Sequence, residues 1–238
     1  LSSIIKQFPQ NNKVQHVLKQ LPKSSVKQSY PTKEQINTLL KYYRNGQLSE
    51  AENLAKFLTK EFPTDLSGWK VLGVILGNTG RKNEALRVHQ KALEIAPQDK
   101  GVYNNLGNTL KSLGRFEEAE LSFKKSIELN PTSAITHNNL GVLLKDTGRL
   151  DEARTSFVEA IRLNPEFAEA HNNLGLTLVD LHNYEDAEAS YNRAIKLNPN
   201  FAEAYNNLGL FYYSRSVAPK HLDCFMNAII VDPKNISY

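Results

Sequence analysis

The sequence predicts an all-α fold built as a stack of antiparallel helix pairs, on three observations. A strict period runs through most of the chain. Each period holds two stretches of helical hydrophobic spacing. A glycine-bearing break separates the two stretches. Pro63, Pro97, Pro131, Pro165, Pro199 and Pro233 stand 34 residues apart by subtraction. Gly73, Gly107, Gly141, Gly175 and Gly209 keep the same step, as do Leu72, Leu106, Leu140, Leu174 and Leu208. Ala51, Ala85, Ala119, Ala153 and Ala187 add a fourth residue type in phase. A period of this length marks an array of identical supersecondary units.

The first 31 residues precede the array. "LSSIIKQFP" at 1–9 reads as the tail of a second helix closed by Pro9. "NNKVQHVLKQL" at 11–21 reads as a short following helix and "PKSSVKQSYP" at 22–31 as a linker. Together they are expected to be a truncated preceding repeat, not a separate domain. Six units then follow, 32–65, 66–99, 100–133, 134–167, 168–201 and 202–235, forming one repeat domain over 32–238.

Unit 100–133 shows the internal pattern. Tyr103, Leu106 and Leu110 recur at helical spacing, and Phe116, Ala119, Phe123 and Ile127 do so after the break "KSLGR". Gly114 there can take the left-handed conformation that ends a helix, and Gly46, Gly80 and Gly148 hold the equivalent place. Acidic pairs follow at Glu117-Glu118, Asp151-Glu152 and Glu185-Asp186, in the first turn of the second helix, where the dipole favours negative charge. The next proline stops that helix. Gly107 and Ala119 mark places where backbones approach closely, while Phe123, Phe157, Tyr191 and Phe225 fill the neighbouring gaps. A lone pair cannot bury both its faces, so stacking supplies the core. The last unit departs from the pattern, with Ser216 at the turn glycine and His221 at the alanine place. That bulk is expected to splay the pair or to draw Pro219 into the first helical turn.

The motif Trp69-x-x-Leu72-Gly73-x-x-Leu76, with Ala85 and Pro97, resembles the tetratricopeptide repeat, although His89 stands where that family has an aromatic. The first unit is degenerate, with Gln35, Thr38 and Leu39 at the aromatic-Leu-Gly places. The resemblance implies a right-handed superhelical solenoid whose first helices line a concave groove. It extends to the repeats of the O-linked N-acetylglucosamine transferase superhelix and of bacterial multi-repeat proteins.

Four units carry the tetrad Asn-Asn-Leu-Gly. The resemblance places its second asparagine, Asn105, Asn139, Asn173 and Asn207, in a row along the groove, with Asn104, Asn138, Asn172 and Asn206 beside it. A carboxamide donates and accepts, so it can pair with an extended peptide backbone whatever the peptide's side chains are. Packed helices lie about 8–10 Å apart and an extended chain advances roughly 3.3 Å per residue, so a rung would meet about every third peptide residue. The competing reading is a generic polar face. Val74, Asn108, Val142, Leu176 and Leu210, three residues beyond the row, and Tyr213 one turn further would set selectivity, or else be half-buried against the second helix. The Lys and Arg clamp of chaperone-binding repeats is missing, its nearest candidates being Lys70, Lys111 and Lys145.

The expected function is therefore binding of a protein or peptide segment, with no cofactor, no metal and no catalysis by this chain. Two other readings stay beside it: the substrate-recruiting part of a glycosyltransferase, sulfotransferase or oxygenase, and a self-assembling scaffold. Helix residues Phe225, Ile229 and Ile230 at the C-terminal repeat suggest association between copies. The net charge of +4 and pI of about 9.0 do not point to nucleic acid. Lys6, Lys13, Lys19, Lys23 and Lys27 carry the excess, and removing those five from 29 bases leaves 24 against 25 acids. No apolar run is long enough to span a membrane. With a single cysteine, Cys224, a reducing and cytoplasmic setting is expected. His137 and His171 share one place in adjacent units, where packing explains them better than metal. "NIS" at 235–237 is a formal glycosylation acceptor.

Overall fold

A computed structural model describes residues 29–217 and 219–232. Expectations for 1–28, Pro233 and the 235–237 acceptor lie outside these residues. Among the described residues there are twelve α-helices and no strand, as the period predicts. In chain order they are α1 (Lys33–Arg44), α2 (Leu48–Glu61), α3 (Leu66–Asn78), α4 (Lys82–Ile95), α5 (Lys100–Ser112), α6 (Phe116–Leu129), α7 (Ala134–Asp146), α8 (Leu150–Leu163), α9 (Ala168–Asp180), α10 (Tyr184–Leu197), α11 (Ala202–Ser214) and α12 (Lys220–Val231). They form two compact units that divide between Leu113 and Gly114.

Local chemistry sets the helix ends. Gly46, Gly80, Gly114 and Gly148 all have φ between 69° and 79°, the left-handed geometry expected of the turn. His182 (φ 59°) and Ser216 (φ 56°) take the same conformation in the last two turns without the freedom glycine has. The first helices of the early repeats are capped by side chains. Asp65 accepts from the Ser67 amide, Asp99 from Val102 and Ser133 from Thr136. Gln35, which looks like a defect at the aromatic place, completes a capping box: the Thr32 amide donates to its Oε1 at 2.7 Å, and its own amide donates to Thr32 Oγ1 at 3.1 Å.

In the first unit the core gathers Leu39, Ala51, Leu54, Leu58, Leu72 and Ile75. The second unit includes a cluster of Leu178, Tyr191, Leu208, Phe211 and Tyr212. The repeating glycine on the first helix has a specific partner. A Cβ on Gly141 would lie 2.7 Å from the Phe157 ring, on Gly175 2.8 Å from Tyr191, and on Gly209 2.6 Å from Phe225. These glycines thus admit a ring from their own pair's second helix, a sharper role than general close approach of backbones. Gly73 admits the His89 imidazole in the same manner.

Turn arginines tie neighbouring pairs together. Arg81 donates to Glu84 and reaches back to Glu52 at 2.6 Å. Arg149 binds Glu152 and reaches back to Glu120 at 2.6 Å. Hydrogen bonds from Arg149 and Lys124 hold the Glu120 carboxyl below its ordinary range. The last pair keeps its crossing despite His221, whose ring meets Tyr213 and Phe225 edge-on. Pro219 lies outside the helix as its N-cap, so α12 simply starts late at Lys220.

Candidate functional site

The tetrad sits at the middle of the first helix of four pairs, on α5, α7, α9 and α11. Its two asparagines differ in role. Asn172 is 1% exposed and Asn138 8%. Asn173 Nδ2 donates to Asn138 Oδ1 at 3.0 Å, and Asn207 Nδ2 donates to Asn172 Oδ1, also at 3.0 Å. Asn172 in turn donates to Glu203 Oε1 at 3.3 Å. Asn138 and Asn172 thus fasten neighbouring repeats. Asn138 and Asn172, expected beside the row, are buried and accept from the next repeat. Asn173 and Asn207 remain half-buried with part of their amides engaged. Asn104, Asn139 and Asn206 are also half-buried.

Asn105 stands apart. The residue 35 before it is Lys70, where the later repeats have the accepting asparagine. Lys70 Nζ instead pairs with the Asp99 carboxylate at 3.1 and 3.2 Å, which also removes it as a clamp cation. The Asn105 carboxamide therefore meets no hydrogen-bond partner among the described residues, nor does that of exposed Asn108. Of the residues expected to set selectivity, Val142 and Leu176 are half-buried, while Leu210 (50% exposed) and Tyr213 (66%) face solvent.

A cavity of about 190 Å³ opens beside Asn105, lined by Gly73, Val74, Gly77, Asn78, His89, Asn108, Thr109 and Ser112. His89, from α4, is 1% exposed, and burial pushes its imidazole down to about 4, so it is neutral. Its Nδ1 has no hydrogen-bond partner among the described residues. The sequence marks His89 as a departure from the aromatic pattern but does not reveal the cavity, which depends on Gly77 and Val74 sharing its rim.

The other described histidines have structural partners. His137 Nε2 donates to the Pro131 carbonyl at 3.0 Å and His171 Nε2 to the Pro165 carbonyl at 3.2 Å. Trp69 Nε1 does the same to the Pro63 carbonyl at 3.1 Å. Each ring pins the turn that precedes its helix. Among the described residues no cluster of three or more potential ligands could hold a metal, and no helix is long and apolar enough to cross a membrane. Burial raises the Cys224 thiol above its ordinary value, which suits a packed side chain and not a nucleophile.

Helix pairs repeated at 34 residues, nested by glycine and ring and joined by turn arginines, define the class of helical-repeat proteins. Family models described as tetratricopeptide repeat or TPR repeat match 40–100, 102–133, 122–155, 143–181, 168–201 and 190–221. The chain belongs to the tetratricopeptide repeat family. Among solved structures it is similar to a thermophilic TPR protein of Thermus thermophilus (27% identity, 72% of this chain and 93% of the other, TM-score 0.64). It is also similar to MamA (27%, 70% and 98%, TM-score 0.59). A third is YrrB, a TPR protein with an unusual peptide-binding site, similar in fold (22%, 76% and 93%, TM-score 0.55). No curated protein matches the chain significantly. The repeats support a protein-interaction module, and the fold is generally non-catalytic.

Proposed function

We propose that this chain captures an extended peptide segment of a partner protein on the first helices of its pairs. The observation that carries this reading is the unspent carboxamides of Asn105 and Asn108 on α5, which have no protein partner among the described residues. In the second unit Asn139, Asn173 and Asn207 stand at the same place on α7, α9 and α11, with Asn173 and Asn207 each donating one bond within the chain, and Val142, Leu176 and Leu210 add apolar contacts one turn on. Backbone pairing of this sort is weak and tolerant of peptide sequence, since each net hydrogen bond is worth ~0.5–1.5 kcal/mol. YrrB, with its peptide-binding site, is a precedent in fold.

The test is selection of peptides from a displayed random pool, followed by affinity measurement on Asn105→Ala/Asn108→Ala. A drop of about fivefold or more with an unchanged melting temperature is expected, because these amides hold nothing within the chain and about 1 kcal/mol of net hydrogen bonding is at stake. Equal affinity for the double variant would mean that the face is merely solvated.

A second reading has its own observation. On α12, Leu222, Met226, Ile229 and Ile230 are 42–72% exposed, an apolar face suited to a second copy of the chain. Sedimentation of Met226→Glu/Ile230→Glu against wild type decides it: concentration-dependent association should vanish in the variant, and a wild type that stays monomeric removes the reading.

A further inference from the structure

Three features of the cavity in the first unit converge on a ligand. A neutral imidazole, that of His89, is among the side chains that line it, with its unpartnered Nδ1 packed against Gly73. The carboxamides of Asn105 and Asn108 stand at its rim without partners of their own among the described residues. Gly77 leaves one wall open, since a Cβ there would meet nothing within 4 Å. A buried polar atom without a partner costs free energy, and nothing in the packing of α3, α4 and α5 supplies one. The polar side chains of the lining are uncharged, so an ammonium or carboxylate drawn inside would lose hydration without gaining a counter-charge. A group that both donates and accepts, and is neutral, suits this lining. The volume of about 190 Å³ has room for a side chain longer than a hydroxymethyl group.

We propose that the cavity walled by Gly73, Gly77, Asn78, His89, Asn105 and Asn108 is a subsite for a carboxamide, the side chain of an asparagine or glutamine in the bound peptide. Asn105 then serves two ends of one ligand, the peptide backbone at the rim and the side chain within. The Asn105 and Asn108 carboxamides pair with the bound carboxamide, and the His89 ring lines the recess beside them. The assignment deepens the peptide-capture reading and rests on it for the identity of the ligand, although the cavity can be probed without any peptide.

Acetamide is the probe, titrated into the whole chain while the ring nitrogens of His89 are followed by nitrogen-15 NMR. Saturable movement of those resonances is expected with acetamide, and none with acetate, its charged isostere. Gly77→Leu should abolish the response while the melting temperature holds or rises, since its side chain enters open space. Ring resonances that ignore acetamide, that respond equally to acetate, or that still respond in Gly77→Leu would each overturn the subsite. The displayed peptide pool separates the two readings. If acetamide binds and no peptide is captured, the peptide face fails while the cavity stands as a carboxamide site. If peptides are captured without enrichment of asparagine or glutamine, and equally well by Gly77→Leu, the subsite fails and the face stands.

Discussion

Repeats two and four place different residues at the same crossing. In repeat four the Phe157 ring lies over Gly141, fully buried and with no polar atom to satisfy. In repeat two the smaller His89 lies over Gly73, equally buried, and leaves beside it a cavity and an orphaned nitrogen. The comparison teaches that the glycine fixes the geometry of the pair while the residue over it decides whether the site is sealed or receptive. At the first crossing a phenyl ring seals the site; at the second the imidazole, together with Val74 and Gly77, borders a recess.

The largest test of this contrast is Phe157→Ala. Emptying a fully buried ring position should cost about 3–5 kcal/mol, seen as a large fall in melting temperature. Next is the acid sensitivity of the other crossing. The unfolded chain protonates His89 near its ordinary 6.5, whereas the folded imidazole stays neutral down to about 4. Between those values the unfolded state binds the extra proton, so stability falls as pH is lowered. At ~1.4 kcal/mol per pH unit the loss reaches about 3 kcal/mol over that window. His89→Phe should remove that part of the acid loss, measured as the difference between urea midpoints of variant and wild type at several pH values. The same variant should be the more stable at neutral pH, because it seals the recess with a ring that needs no hydrogen bond. Ala153→Leu, at the fully buried close-approach site of α8, comes third, with overpacking of about 1–3 kcal/mol. A wild-type melting temperature there would remove Ala153 from the close-approach positions.

The last test, which includes the smallest effect, separates the two kinds of asparagine. Asn172→Ala leaves the Asn207 donor without its acceptor inside the protein and should cost about 1–3 kcal/mol. Asn105→Ala should lie within about 0.5 kcal/mol of wild type. Paired thermal melts decide it, and equal costs would mean that the fastener does not matter.

Much of this is legible in the residues because a repeat enforces its own phase. The prolines, turn glycines and acidic pairs fix helix ends by local chemistry, and local chemistry can be read along a line. The left-handed turn at Gly114 follows from such a reading, and so does the second helix that starts at Phe116. Pairings between repeats are not legible. Asn138 and Asn139 are adjacent and chemically identical, and only stacking makes Asn138 the acceptor for Asn173 of the next repeat. Gln35 likewise reads as a broken aromatic position until its amide is seen to close on Thr32. The recess at His89 is out of reach for the same reason, since it is made by what α3, α4 and α5 fail to fill.

The rings of Trp69, His137 and His171, each six residues past a proline, carry a lesson for how such arrays drift. At that spot indole and imidazole each present an N–H to the proline carbonyl, whereas Tyr103 and Tyr205, six residues past Pro97 and Pro199, fill the place without one. Within this one chain the position thus holds tryptophan, tyrosine and histidine, and the histidines act there as pins of the preceding turn, not as metal ligands.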